Sequence, residues 1–415
     1  MTRAVWVKLG KAYTVTGTSG VFQVCIAGRP NFPIASAMLK TFSKLWLKSA
    51  VRLAKAQATR QNSLLAHAIK AAKKPCVTEK NRSVSALAYA SRKKSPRKSV
   101  AGASSLAAHG KWMRSYYLPP PAGLQDRSRR LAYWLYVPDQ LVAGQNSFPL
   151  VVMLHGCEQT AAEFANGTRM NALAARYGFA VLYPQQVVSA HAHRCWPWYE
   201  QSLQRGGEEV ALVAGAIEKV VRQQGFDRTR IYIAGLSAGA ALAQIVALRH
   251  PHLIAAVCSH SGPVYGAADT RLGAFSVMQH GTRDAVRPID QLLIEQANFP
   301  GMPMLILHGE QDTVVRPVNA MQLAWQFCQA NALSTSAHEP VASCAAVERC
   351  DGFRITDYCQ DQKIVVRLCQ IRHLTHAWSG GDTAFRFNAG TGPDASLMSW
   401  EFFRQHARIA APAAG

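Results

Sequence analysis

From Lys111 to the end of the chain, short apolar runs alternate with helix-length amphipathic stretches, and this alternation limits the fold more than any other feature. The runs "KWMRSYYLP", "RLAYWLYVP", "FPLVVMLHG", "FAVLYPQ", "RIYIAGLS", "IAAVCSHSG", "MPMLILHG" and "KIVVRLCQI" read as strands. Among them "AEFANGTRMNALAARYG", "EEVALVAGAIEKVVRQQG", "ALAQIVALRHP" and "VNAMQLAWQFCQAN" read as helices, with "SLMSWEFFRQHA" as a closing helix. "FPLVVMLHG" has no polar residue before its histidine, so neither face suits water and the strand belongs at the centre of a covered sheet. The expected class is α/β, a mainly parallel central sheet with helices on both faces. In such sheets, side chains that carry chemistry collect at the carboxyl ends of the strands.

One strand ends on a turn of unusual composition. In "IYIAGLSAGA", Ser237 stands between Gly235 and Gly239, the G-x-S-x-G spacing of a sharp strand-to-helix turn that lifts the serine to its apex. Both glycines have a steric reason, since a side chain at either position would meet the neighbouring strand or helix. A serine used as a nucleophile needs a base and an acid, in the chain order Ser, Asp or Glu, His. "LILHGEQDTVV" places Asp312 just beyond an apolar strand, and "THAWSGG" places His376 in a Gly-rich loop after "KIVVRLCQI".

In that scheme His376 takes the proton of Ser237 as it attacks an ester carbonyl and returns one to the leaving alcohol. Asp312 holds the imidazole in the right tautomer. The oxyanion is received by the backbone N–H of Ala238 and by a second N–H from the loop after "VVMLHG", with Cys157 as the candidate. Rivals exist for each position. Asp284 in "MQHGTRDAVRP" follows "AFSVMQHG", a weaker strand; His373 lies three residues before His376; and His155 and His308 end strands, where structural bonding to loop backbone is the plainer role. In "CWPWYE", Trp196, Trp198 and Tyr199 are either core aromatics or walls of an acyl pocket, and Trp378 is a further candidate for the substrate pocket.

The formal charge of +22 belongs almost wholly to one end. Residues 1–114 carry 22 Lys plus Arg against one acid, Glu79, while the remaining 301 residues carry 24 basic and 23 acidic side chains. This divides the 415 residues into a basic N-terminal extension and linker, 1–110, partly helical or disordered, and a catalytic domain, 111–415. Between residues 38 and 75, Leu39, Phe42, Trp46, Leu53, Leu64, Leu65 and Ile69 recur at three- and four-residue steps among lysines and arginines. Such an amphipathic helix suits an anionic or hydrophobic surface; a solvated leader is the plain alternative. Residues 76–110 read as a linker. No motif for specific nucleic-acid recognition accompanies the charge. No run is long and apolar enough to read as a membrane span. The ten cysteines lack repeated C-x-x-C pairs, which argues against zinc and against a small disulfide scaffold, and most should be ordinary thiols; no metal or cofactor is expected.

With these residues placed, the chain resembles the poly(3-hydroxybutyrate) depolymerase family of esterases, itself similar to the feruloyl and acetylxylan esterases. The resemblance rests on "LHGCEQTAAEFANGTRMNALAARYGFAVLYPQQ", "RCWPWYE", "RIYIAGLSAGAALAQIVALRHPHLIAAVCSHSG", "LHGEQDTVVRPVNA" and "THAWSGG", and extends over about residues 112–408. It implies an α/β-hydrolase fold, Ser237, Asp312 and His376 as the triad and Cys157 at the oxyanion hole. It also implies that Cys157 and Cys195 approach each other and form a disulfide in secreted relatives; both stay reduced if the protein is cytosolic. The implied substrate is a polyhydroxyalkanoate polymer or oligomer or another small ester, with feruloyl or acetylxylan esters as the alternative. A further alternative of another class is a binding protein for a granule or anionic surface, using the basic N-terminus. No secretory signal is legible, and no polymer-binding domain is expected after the closing helix. The compartment expected is therefore cytoplasmic, with association to storage granules, and extracellular as the alternative. "SCAAVERCDGFRITDYCQDQ" fits the family pattern poorly.

Overall fold

The computed structural model describes residues 14–16, 23–25, 109–120, 130–141, 148–333, 347–350 and 352–409, with 14–16, 23–25 and 347–350 as backbone only. The chain divides into two units, Met1–Arg97 and Lys98–Gly415. In the first, β1 (Thr14–Thr16) and β2 (Gln23–Cys25) pair antiparallel. The amphipathic helix expected at 38–75, with its granule or anionic-surface role, lies outside the described residues. Among the described residues, no helix is long and apolar enough to cross a membrane.

The second unit opens with β3 (Gly110–Tyr117), β4 (Leu131–Pro138) and β5 (Leu150–Leu154). Helices α1 (Ala161–Thr168) and α2 (Met170–Tyr177) lead to β6 (Ala180–Gln185). Next come α3 (Gln201–Gln204), α4 (Glu209–Gln224), β7 (Ile231–Leu236), α5 (Ala238–Arg249) and β8 (Ala256–His260). After α6 (Arg271–His280) and α7 (Arg287–Glu295) follow β9 (Met304–Gly309) and α8 (Val318–Ala330). The chain closes through β10 (Val347–Cys350), β11 (Phe353–Gln360), β12 (Lys363–Ile371), β13 (Trp378–Ser379), β14 (Asn388–Ala389) and α9 (Ala395–Phe403).

Among the described residues, ten strands form one sheet in the order β10-β11-β12-β9-β8-β7-β5-β6-β4-β3. The six from β12 to β6 are parallel neighbours, and antiparallel strands extend both edges. This is the mainly parallel sheet of the α/β-hydrolase class. The central strands bury both faces because their residues alternate between two apolar layers. Leu150, Val152, Leu154, Ile231 and Ile233 pack with α4 and α5 on one side. Val151, Met153, Tyr232 and Ala234 pack with α1, α2 and α9 on the other.

Two local features differ from the sequence expectation, and a third segment has no element assigned to it from the sequence. "AEFANGTRMNALAARYG" is two helices, because Arg169 adopts a left-handed conformation (φ 56°) that ends α1 and starts α2. A capping box fixes the start of α1: Thr160 Oγ1 accepts the Glu163 N–H, and the Glu163 carboxylate accepts the Thr160 N–H. "AFSVMQHG" lies in helix α6, not a strand; Thr270 caps it, and Ala274 and Val277, three residues apart, turn inward. "VERCDGFRITDYCQDQ" supplies the hairpin β10–β11 at the sheet edge, where β11 alternates outward and inward residues. Asp357 faces Arg367 across β11 and β12 and accepts two hydrogen bonds from its guanidinium, at 2.7 and 2.6 Å.

Candidate active site

Ser237 sits at the carboxyl end of β7 with φ 57° and ψ −119°, a conformation that strains a residue with a Cβ. The turn tolerates it because its flanks are bare. A Cβ at Gly235 would run into the backbone of Gly239 and Ala240, and one at Gly239 would run into the carbonyls of Leu154 and His155. Strand, turn and helix therefore close on each other only with glycine at both positions. Ser237 N–H donates to the His260 carbonyl at 2.9 Å, which holds the turn to the end of β8. The side chain stays partly open to solvent.

Asp312 and His376 meet at the same end of the sheet. His376 Nδ1 donates to Asp312 Oδ2 at 2.7 Å, with the carboxylate fully buried. Asp312 Oδ1 accepts the N–H groups of Val314 and Val315, each at 2.9 Å. Burial pushes its carboxyl pKa up, but the charge and hydrogen bond of His376 and the nearby His308 outweigh this and leave it below the usual carboxylate value. With Nδ1–H committed to the carboxylate, Nε2 of His376 is the ring atom that can take a proton. The two loops are joined by the Gln311 N–H, which donates to the Leu374 carbonyl. Gly309 lets them approach, since a Cβ there would run into Leu374 and Thr375.

The rival residues make other contacts. Asp284 is exposed and receives the Arg287 N–H, and His373 faces Gln311 at the surface. His155 donates from Nδ1 to the Gly156 carbonyl and accepts the Gln186 N–H at Nε2. His308 donates from Nε2 to the Val315 carbonyl at 2.8 Å and lies 3.6 Å from Asp312.

Cys157 and Cys195 are joined in a disulfide, with Cα atoms 4.3 Å apart, so the reduced alternative is not the one observed. The loop is also fixed by the Glu158 N–H donating to the His193 carbonyl and by Trp196 Nε1–H donating to the His155 carbonyl. Ala238 N–H opens α5 and belongs to the first turn, whose donors lack intrahelical acceptors. Cys359 is also disulfide-bonded, Cys258 and Cys328 are buried free thiols, and Cys369 is buried. Among the described residues, no cluster of His, Cys, Asp or Glu could hold a metal ion.

The aromatic candidates divide. Trp196, Trp198 and Trp378 are 1, 6 and 0% exposed, so they pack the core and cannot wall an open pocket. Trp378 stacks on His260 and meets the edge of Phe164. Tyr199 remains half-buried, with its hydroxyl accepting from Arg271 Nε at 3.0 Å. His260 has no role assigned from the sequence; in the sheet it ends β8 opposite Leu236, the residue before Ser237.

Burial keeps His155 and His260 neutral, holding their pKa values at about 4 and about 3. In the unfolded chain both rings take up a proton below about pH 6.5. Unfolding between those limits binds protons, so stability is present above the unfolded value and is lost as pH falls, by up to about 1.4 kcal/mol per pH unit for each ring. Urea midpoints are expected to be flat near neutrality and to drop steadily from about pH 6.5 to about pH 4. Equal midpoints across that window would contradict the neutral buried rings.

A family model described as Esterase PHB depolymerase matches residues 131–346. Poly(3-hydroxyalkanoate) depolymerase C of Paucimonas lemoignei is 29% identical over 216 residues, which cover 51% of this chain and 51% of that protein. The chain thus spans about half the length of that relative. Acetylxylan esterase A of Emericella nidulans is 27% identical over 213 residues, 49% of this chain and 68% of the relative. Among solved structures, an acetyl xylan esterase from Aspergillus awamori superposes with a TM-score of 0.57 at 18% identity, over 71% of this chain and all of that one, which supports the shared fold.

Proposed function

This chain belongs to the PHB depolymerase family of esterases, and from that premise we propose that it is a serine esterase acting on short-chain hydroxyalkanoate esters, polymer or oligomer, through an acyl-enzyme on Ser237. The observation that carries the proposal is the His376–Asp312 hydrogen bond at the sheet end where Ser237 is held in a strained turn. His376 Nε2 removes the hydroxyl proton as Oγ attacks the carbonyl carbon. The negative charge that develops on the carbonyl oxygen is met by the N–H groups of Ala238 and Cys157, each such donor being worth about 3 kcal/mol or more in a water-poor site. His376 then protonates the leaving alkoxide, and water repeats the sequence to release the acid. Asp312 stabilises the imidazolium in both halves and stays ionised because its carboxyl pKa is held down.

The hydroxyalkanoate assignment is supported by the depolymerase named above. A second reading, an acetylated-carbohydrate esterase, is supported by the acetylxylan esterase relative. The purified chain should be offered amorphous polyhydroxybutyrate granules, soluble hydroxybutyrate oligomers and acetylated xylan in parallel. Release of hydroxybutyrate at a kcat/KM at least about tenfold above that for acetate release is the expected result. The reverse ranking would transfer the assignment to carbohydrate esters.

A further inference from the structure

We propose that His260 is a positioning residue that sets the base loop against the nucleophile turn, a role that rests on the esterase reading of the same site. Strand β8 lies between β7 and β9, so its last residue stands between the strand ends that lead to Ser237 and to Asp312. In the register, His260 is opposite Leu236 on one side and Leu307 on the other. Its carbonyl accepts the Ser237 N–H at 2.9 Å. The next residue, Ser261, donates its N–H to the Leu307 carbonyl at 2.9 Å, closing the link to β9.

The side chain reaches the third component. His260 Nε2 accepts the Ser379 N–H at 3.1 Å, three residues beyond His376, and the ring stacks on Trp378 with centroids 5.0 Å apart. A ring nitrogen that accepts a backbone N–H carries no proton, so Nδ1 bears it and donates to Ser261 Oγ at 3.1 Å. The ring is fully buried, and burial keeps it neutral, so one ring nitrogen stays free of a proton to accept the Ser379 N–H. Trp378 passes the constraint outward: its Nε1–H donates to Ser396 Oγ, whose hydroxyl donates to the Thr168 carbonyl. One residue thus touches the backbone of the nucleophile and the loop of the base, while its neighbour in the chain holds the strand that leads to the acid. A misplacement of about 1 Å between reacting groups can lower a rate by about a hundredfold, which sets the scale of the effect.

The test compares His260→Leu and His260→Gln with the parent chain and with Ser237→Ala on p-nitrophenyl butyrate. Leucine fills the space without an acceptor, and kcat is expected to fall by about 10- to 100-fold with KM changed by less than about twofold. The glutamine carbonyl can accept the Ser379 N–H, so His260→Gln should recover activity to within about fivefold of the parent. If His260→Leu fails to fold, His260→Asn, whose amide is too short to reach Ser379, takes its place with the same expectation. An unchanged kcat in the leucine or asparagine variant, or a loss in the glutamine variant equal to theirs, would overturn the positioning role. Ser237→Ala separates the two levels: if it is inactive, those outcomes overturn the positioning alone, whereas full activity in Ser237→Ala overturns the esterase reading beneath it.

Discussion

Ser237→Ala is expected to hydrolyse p-nitrophenyl butyrate at least about 10⁴-fold more slowly than the parent chain while keeping its thermal unfolding midpoint. The loss is large because the variant has no atom to form the acyl-enzyme, and the remaining groups can only bind and polarise the ester. The fold should persist because Oγ makes no hydrogen bond among the described residues and Ser237 is partly exposed. Alanine also keeps the Cβ that the strained φ of 57° already accommodates, so the turn loses no packing. Stopped-flow or plate assays of kcat and KM, paired with a melting curve, decide the matter. Parent-like turnover would remove Ser237 from the chemistry; a collapsed melting curve would give it a structural part that the geometry does not.

Asp312→Asn is expected to lower kcat by about 10⁴ with little change in KM, a larger effect than loss of one ordinary hydrogen bond. The reason is the direction in which the new amide must point. Oδ1 of Asp312 accepts two backbone N–H groups, from Val314 and Val315. An asparagine NH2 placed there would face two donors, so its carbonyl takes that side and its NH2 turns toward His376. The His376 Nδ1 must then accept, the ring proton moves to Nε2, and the ring loses the lone pair that would receive the serine proton. Kinetics measured beside a melting curve test this. A loss of less than tenfold would mean that the tautomer of His376 is not controlled by Asp312.

Much of this was legible locally. Within "FPLVVMLHG" the five strand residues "LVVML" are all apolar and all buried, so the central position follows from composition alone. Gly235 and Gly239 were legible because a close backbone approach leaves room for no other residue. Asp312 and His376 were legible through chain order and strand ends. Features that depend on distant partners were hidden. A run such as "AFSVMQHG" has the apolar content of a strand, and only the inward turn of Ala274 and Val277 against neighbouring elements makes it a helix. The tryptophans of "CWPWYE" are as suited to a pocket wall as to a core; the bond from Trp196 to the His155 carbonyl, which no local pattern encodes, places that ring inside. β11 alternates outward and inward residues, but one of the inward positions is Asp357, paired with Arg367 on the next strand, so the hydropathy of the run does not display the alternation. His155, His260 and His308 all end strands in similar words, "LHG", "SHS" and "LHG", and only the folded sheet shows which of them touches the base loop.

The most direct test of the central claim is to treat the purified chain with a fluorophosphonate ester and locate the adduct by mass spectrometry of the digested protein. Loss of esterase activity should track the gain of one phosphonyl group per chain, carried by the peptide that contains "GLSAG" and fixed to Ser237, with His376→Ala reacting far more slowly. An adduct on another residue, or complete inactivation without modification of Ser237, would contradict the account.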